Sequence, residues 1–397
     1  MANIVFAWEL GAGLGHLSRL AVLMNRLDAL GHNLTLVLND PSNLDAFDLP
    51  ESLLILPAPS FKTLPSKKQP TVSLPCILQN RGFQGPKVLR GIVRSWHGIF
   101  KVTQPDLLIF DYAPSAMLAA RNLACPKVNI GSGFSELVPG SPCSVMRTDL
   151  KDAAKLTKLM ESRIVGLINC ICDQFGYHRV QFLSDLYQYD LAIISTLPDL
   201  DPYKRNPDKS LYINFEITEQ GVNAINWKSG NKKRVFVYLT MGHYGVIETL
   251  DALLAENCEV ICYGMGFPPK MIETYSRKGI QFSLDPINAP ELLPTADLVV
   301  CHAGKGLITE SLFFGTPLLL LPTHMEQRMN AELVKSLGSG LTIAGNINQQ
   351  NVKKVLSRLL TDTSFTDNAG KIAKKYEDRD TLSSLDNILD RITSLLE

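Results

Sequence analysis

Short apolar runs recur along the whole chain, each closed by a turn and followed by apolar residues at helical spacing. Residues 3–8 predict a buried strand, and residues 18–30 a helix carrying Leu20, Leu23, Met24 and Leu27 before Gly31 stops it. Residues 34–38 predict the next strand, and 107–110, 127–130 and 191–195 repeat the pattern. Residues 49–86, rich in Pro, Ser and Lys, predict loops and not core. A second series follows the polar stretch 199–233. Its strands, 234–239, 258–263, 298–301 and 317–321, end at Thr240-Met241-Gly242, Gly264-Met265-Gly266, His302-Ala303-Gly304 and Pro322-Thr323-His324. Strands separated by helices imply parallel sheets with right-handed crossovers. The pattern predicts an α/β protein of two Rossmann-like, doubly wound halves. We place the first at 1–215, a linker at 216–233, the second at 234–378, and a last helix, 379–397, packing back on the first.

Length and composition agree with this picture. At 397 residues the chain is too long for one ordinary core, and 45% hydrophobic with 20% charged residues is a globular profile. Lys+Arg and Asp+Glu both total 39, so no basic balance points to a nucleic-acid partner. The first eleven residues lack the basic start of a secretory leader, and the apolar run 318–321 is far too short to span a bilayer. A cytoplasmic protein with reduced thiols is expected, since the eight cysteines form no CxxC pair. Neither a metal nor a cofactor is expected.

In doubly wound sheets, ligands bind beyond the carboxyl ends of the strands. The unusual residues of this chain fall there. One strand delivers His302, and Gly304, Lys305 and Gly306 open a helix whose N-terminal N–H groups suit phosphate. Glu310 follows on what reads as an exposed helix turn, where a carboxylate can accept ribose hydroxyls, and Glu326 and Gln327 open the next helix. A plain βα turn with a satisfied histidine explains the glycines alone, but not four features at adjacent strand ends.

In the first half, Gly11, Gly13 and Gly15 lead to His16 at a helix start. Their spacing is not the dinucleotide fingerprint, and no acid caps the second strand until Asp40, so an NAD reading is disfavoured. His16 offers a base and Asp111, at a neighbouring strand end, a carboxylate to orient it. The plain alternative is a capping histidine and a solvated aspartate. Glu9 is a less favoured alternative base.

The stretch from His302 to Gln327 resembles the donor-site signature of GT-B glycosyltransferases. That superfamily includes the UDP-glycosyltransferases, the macrolide glycosyltransferases and the MurG-type N-acetylglucosaminyltransferases. The resemblance implies two domains facing a cleft, with a UDP- or TDP-sugar donor in the second and an unidentified acceptor in the first. It implies that His302 and the glycine loop hold the diphosphate, Glu310 the ribose, and Glu326 and Gln327 the transferred sugar. Residues 282–293 resemble the base-contacting loop, through the backbone near Pro286 and Ile287, and Thr240 with Gly242 the phosphate-facing turn. Gly13 and Gly15, in the turn ahead of the base, are expected to contact the donor. His16 matches the general base of plant-type members, and Asp111 the aspartate that orients it.

Two departures matter. Leu307 and His243 stand where the family usually has Ser or Thr, leaving Lys305 and His243 to offer cationic contacts. Gly-His-x-x-Arg, ending at Arg19, also resembles GT-B nucleotide-sugar hydrolases of sialic-acid-like sugar pathways; transferases more often have Pro there. The leading expectation is an inverting, metal-independent glycosyltransferase. A hydrolase or epimerase on the same fold is the first rival. A non-catalytic nucleotide-sugar-binding partner, suggested by Leu307, is the second. Peripheral membrane contact stays open.

Overall fold

The computed structural model describes every residue except 12–13, 62–69, 148, 204, 206–209, 214–224, 229, 285–286, 346 and 378–382. The chain forms two compact units: Met1–Phe215 with Ser383–Glu397, and Glu216–Leu382.

The first unit opens with β1 (Asn3–Trp8), α1 (Leu14–Ala29), β2 (Asn33–Leu38) and β3 (Leu54–Pro57). Then come α2 (Leu74–Gln79), α3 (Pro86–Thr103), β4 (Leu107–Asp111), α4 (Pro114–Ala119) and β5 (Lys127–Gly131). α5 (Ala153–Phe175), β6 (Leu191–Ser195) and β7 (Ser210–Ile213) complete the series. The strands form one sheet in the order β3-β2-β1-β4-β5-β6-β7, with β1 parallel to both β2 and β4. Central strands covered on both faces need apolar side chains at every position, which is why residues 4–7 and 107–110 are buried runs. Ile4, Phe6 and Trp8 pack against Leu17, Leu20, Met24 and Leu27 of α1.

The second unit repeats the plan. Its elements are β8 (Arg234–Thr240), α6 (Val246–Ala255), β9 (Glu259–Met265), α7 (Pro269–Arg277), β10 (Gln281–Ser283), α8 (Ala289–Leu292) and β11 (Leu298–Cys301). They continue with α9 (Lys305–Phe313), β12 (Leu318–Leu320), α10 (Met325–Ser336), β13 (Gly340–Thr342), α11 (Gln349–Thr361) and α12 (Ser364–Tyr376). The sheet order is β10-β9-β8-β11-β12-β13, with β8 parallel to both β9 and β11. In each sheet the winding direction reverses at one place, between β1 and β4 and between β8 and β11. The crevice at that reversal is where such sheets bind ligands.

The last helix, α13 (Leu385–Thr393), returns to the first unit. Its Ile388, Leu389 and Ile392 join the core beneath β1, and Asp386 pairs with Arg26 of α1.

Three readings of the sequence are corrected. Residues 49–86 are not all loop: β3 extends the sheet, and α2 buries Leu74, Pro75, Cys76 and Leu78. Pro75 lies in the first turn of α2, where a missing N–H goes unnoticed, so its proline content hid a helix. The polar stretch 199–233 contains β7, an edge strand paired with β6. α5, with Met160, Ile164, Ile168 and Ile171 buried at helical spacing, occupies residues to which the pattern assigned no element. All eight cysteines are unpaired, five of them buried. No helix among the described residues is long and apolar enough to cross a membrane.

Candidate functional site

The turn after β1 sets His16 on the first turn of α1, beside the carboxyl end of β4. Trp8, the last residue of β1, is stacked on the His16 ring with centroids 5.0 Å apart and planes 20° from parallel. The Trp8 indole N–H donates to the Leu10 carbonyl at 2.7 Å, and the Leu10 N–H to the Tyr112 carbonyl at 3.1 Å. These bonds tie the turn to β4 across the reversal point.

His16 Nδ1 lies 2.8 Å from Asp111 Oδ1. Arg19, one helical turn further along α1, donates from Nε to Asp111 Oδ2 at 2.8 Å and from Nη2 to Oδ1 at 3.0 Å. Its Nη2 is also 2.6 Å from His16 Nδ1. A single ring nitrogen cannot donate to the carboxylate and accept from the guanidinium together. With Nδ1–H given to Asp111, Nε2 carries a bare lone pair, the form a base requires. Burial pushes the Asp111 carboxyl up, but Arg19 and His16 outweigh it and hold the group below the ordinary carboxylate range. The sequence pointed to His16 with Asp111 as its orienting carboxylate; that Arg19 completes a three-member cluster is new.

Gly11 guards the other ring nitrogen. Its φ is +91°, and a Cβ there would collide with His16 Nε2 and lie 2.9 Å from Cε1. We expect Gly11→Ala to lower turnover at least tenfold, because the ring must leave its stack on Trp8. The left-handed backbone should cost roughly 1–2 kcal/mol of stability. Steady-state rates and thermal melting of the variant check both effects. Gly15 lies in the first turn of α1 with open space beside it, and Gly13 lies outside the described residues.

Glu9 is removed from contention as an exposed base. It is buried and accepts the N–H groups of Ser115 and Ala116 and the Ser115 hydroxyl, capping α4. Burial raises it to about 7, against those hydrogen bonds. The carboxylate that sequence reasoning missed is Glu136. It is buried against Gly131 at the end of β5 and accepts from Gly133 N–H and Ser135 Oγ. Burial raises it, with Asp111 adding to the rise. Residues 133–137, just past β5, are buried, held by Arg205 through the Gly133 and Glu136 carbonyls. Only the run Gly-Phe-Ser-Glu directly after a strand could have flagged it.

In the second unit, the His302 turn is fixed on three sides. The Thr240 N–H, at the end of β8, donates to His302 Nε2 at 3.0 Å, and His302 Nδ1 donates to the Leu321 carbonyl at 3.1 Å. The bond to Thr240 spans the reversal point, as the His16–Asp111 contact does in the first sheet. The amide of Asn330 on α10 donates to the Ala303 carbonyl at 3.1 Å. Both His302 nitrogens are thus engaged by backbone. Burial holds the imidazole below its ordinary range, against the pull of the Leu321 carbonyl.

The positive φ of this turn falls on Ala303 (+65°) and not on a glycine. Tyr112, directly after Asp111, is also left-handed at +46°. Each unit therefore holds a non-glycine residue in a costly conformation at the same topological place, as functional turns often do.

Gly304 is the N-cap of α9 with open space around it, and Gly306 lies in the first turn. Glu310 is buried at 8% exposure, not on the exposed turn that the sequence suggested, and Lys305 is buried likewise. Gly242 and His243 occupy the turn after β8; the exposed His243 meets the His302 ring edge-on at 4.6 Å. His324, which caps α10, brings a third imidazole to these strand ends. Gln327 Oε1 accepts both the N–H (2.8 Å) and hydroxyl (2.7 Å) of Thr323. Glu326 is half-buried beside it, and Ile287 half-buried before α8, while Pro286 lies outside the described residues.

Comparison with known proteins places these features in context. Residues 219–384 match the Glycosyltransferase family 28 C-terminal domain. The chain is 22% identical over 394 residues to a PGL/p-HBAD biosynthesis glycosyltransferase of Mycobacterium tuberculosis, covering 94% of this chain and 88% of that one. It is 24% identical over 315 residues to the aclacinomycin-T 2-deoxy-L-fucose transferase of Streptomyces galilaeus, covering 73% and 67%. Among solved structures, the calicheamicin glycosyltransferase CalG4 superposes with a TM-score of 0.73 at 16% identity, over 100% of this chain and 98% of that one. The glycosyltransferase VinC in complex with DTDP gives 0.64 at 18%, over 99% of each.

Proposed function

We propose, from the premise that this chain belongs to the superfamily of GT-B glycosyltransferases, that it moves a sugar from a UDP- or TDP-sugar to an acceptor hydroxyl with inversion and without a metal. The observation that carries this reading is the His16–Asp111 contact at the reversal point of the first sheet. Asp111 accepts the hydrogen bond of Nδ1–H and steadies the imidazolium, Nε2 removes the acceptor proton as the oxygen attacks the anomeric carbon, and the diphosphate leaves from the opposite face.

On the donor side, the α9 N-terminus meets the developing charge with backbone N–H groups. His302 acts by fixing that turn, since both its nitrogens are bound to backbone. His243 supplies the polar contact that a hydroxyl gives elsewhere in the superfamily. Glu310 and Gln327 are assigned the ribose and the transferred sugar, with Glu326. Thymidine diphosphate bound to the related VinC supports a pyrimidine nucleotide.

The test uses thermal shift with UDP, TDP, GDP and NAD, followed by turnover with and without EDTA. We expect stabilisation by UDP or TDP and activity that survives chelation. Stabilisation by NAD alone, or activity lost to EDTA and restored by magnesium, would overturn the reading.

Arg19 favours a second reading. Because it touches both His16 and Asp111, the cluster can also activate water, as in a nucleotide-sugar hydrolase. Rapid donor consumption with no acceleration by any acceptor would select that activity.

A further inference from the structure

Glu9 belongs to the strand end that cradles His16. Trp8, just before it, stacks on the imidazole, and Gly11, two places on, lies against the Nε2 edge of the ring. The Glu9 carboxylate reaches from this strand end to the segment that follows Asp111. It accepts the Ser115 N–H at 3.1 Å, the Ser115 hydroxyl at 2.8 Å and the Ala116 N–H. The Leu10 N–H, given to the Tyr112 carbonyl at 3.1 Å, joins the same two segments through backbone.

The joined segments carry the two partners of one hydrogen bond. Residues 8–11 hold the His16 ring, and residues 111–116 begin at Asp111, which meets its Nδ1. Between Asp111 and Ser115 stands Tyr112 at a φ of +46°, a conformation that persists only where its surroundings fix it. α4 is a six-residue helix, and helices are ordinarily capped by a local Ser, Thr, Asn or Asp. A buried Glu from 106 residues away is a costly substitute for such a cap. What it adds is a tie between the ends of β1 and β4.

The shell of this carboxylate is one-sided. Ser115 Oγ accepts the Trp96 indole N–H at 3.0 Å, so its own proton turns to Glu9, and all three contacts donate. A carboxylate accepts from all three. A carboxylic acid makes one oxygen a donor, and one of the contacts must be given up or reversed. Burial raises Glu9 to about 7, against the bonds from Ala116, Ser115 and Trp96. The charged and titratable groups around these strand ends are His16 and Arg19 on α1, Asp111 and Tyr112 after β4, and Glu136 past β5.

We propose that Glu9 is a positioning residue: as a carboxylate it ties residues 8–11 to residues 111–116 and holds the His16 ring on Asp111, and on protonation it releases that hold. Its part in sugar transfer rests on the reading of His16 as the base; the tie itself does not. The cost of the buried charge is present above about 7 and is relieved as pH falls from there toward the ordinary 4.5. Through this group, acidification therefore loosens the ring without melting the fold.

Nitrogen-15 NMR of the full chain, labelled at histidine, reads the ring directly, with His16→Gln identifying its signals. At pH 8 the parent should show Nδ1 protonated and Nε2 bare. A further change should come as Glu9 takes its proton near pH 7, apart from protonation of the ring. Glu9→Gln puts an amide NH₂ into a shell of donors, so the change should vanish and the two tautomers mix at pH 8. Ser115→Ala removes one bond that holds Glu9 down, so there the change should move to higher pH; this variant decides the matter if Glu9→Gln does not fold. In turnover, Glu9→Gln should lower kcat by up to about a hundredfold with donor KM unchanged. His16 signals identical in parent and variants overturn the proposal, as does a raised KM with unchanged kcat. Signals that respond as stated in a protein that consumes no nucleotide-sugar keep the positioning and remove the transferase reading. Turnover with unresponsive signals removes the positioning alone.

Discussion

His16→Ala should leave donor affinity nearly unchanged and lower sugar transfer by roughly a hundredfold to ten-thousandfold, the usual contribution of a positioned base. The two halves of this expectation have separate structural sources. The features assigned to the donor, the His302 turn and the start of α9, belong to the second unit and owe nothing to α1. The reacting nitrogen depends on three contacts in the first: the stack on Trp8, the close approach of Gly11 and the bond to Asp111. Asp111→Asn should lose somewhat less than His16→Ala, because the imidazole remains but its Nδ1 partner no longer enforces one tautomer. Donor titration by calorimetry and initial rates over a panel of lipid, glycan and natural-product acceptors measure both effects. Full activity in His16→Ala would discard the transferase and hydrolase readings together.

Arg19→Leu should be the most destabilising single change at the site. Asp111 is 1% exposed and Arg19 6%, and two hydrogen bonds join them. Removing one partner of a buried pair strands the other charge, at about 3–5 kcal/mol. For a unit of this size each kcal/mol is worth about 2–4 °C of melting temperature. Acidity should narrow the difference, and the sign follows from Asp111. In the parent its pKa is depressed, so its stabilisation is complete above the unfolded value of about 3.9 and is lost as pH falls through the lower folded value. In the variant burial, which raises the pKa, is opposed by the His16 contact alone, so protonation on acidification relieves the penalty. Melting curves of the two proteins should therefore converge in acid. A constant gap from neutral to acid pH would show that Arg19 acts through packing alone. Restored melting in Arg19→Leu with Asp111→Leu would locate the cost in the stranded charge.

Much of the frame is written locally, and what is not has a physical reason. The runs at 3–8, 107–110, 234–239 and 298–301 are largely buried central strands, which leave an apolar signature that needs no partner to interpret. β7, β10 and β13 lie at or near the sheet edges, are three or four residues long, and carry little of that signature. The candidate site divides in the same way. That His16 and Asp111 sit at strand ends follows from their place in the chain. That they touch across 95 residues, with Arg19 bonded to both, depends on β1 and β4 being neighbours, which no window of sequence states. The engagement of His302 is likewise a product of three chain segments meeting. Its histidine invites a ligand in the sequence, while in the fold backbone already satisfies both nitrogens.

The return of α13 makes the first unit discontinuous: the second is an insertion between Ile213 and Ser384, within a unit whose N-terminal half is made first. Ile388, Leu389 and Ile392 fill the same core as Ile4, Phe6 and Leu27, so that core is incomplete until α13 is made. During synthesis the first unit lacks these three side chains while the entire second unit is translated. Domains ordinarily fold in order of emergence. Here the first unit to emerge is the last to gain its full core, because α13 follows the whole of the second unit.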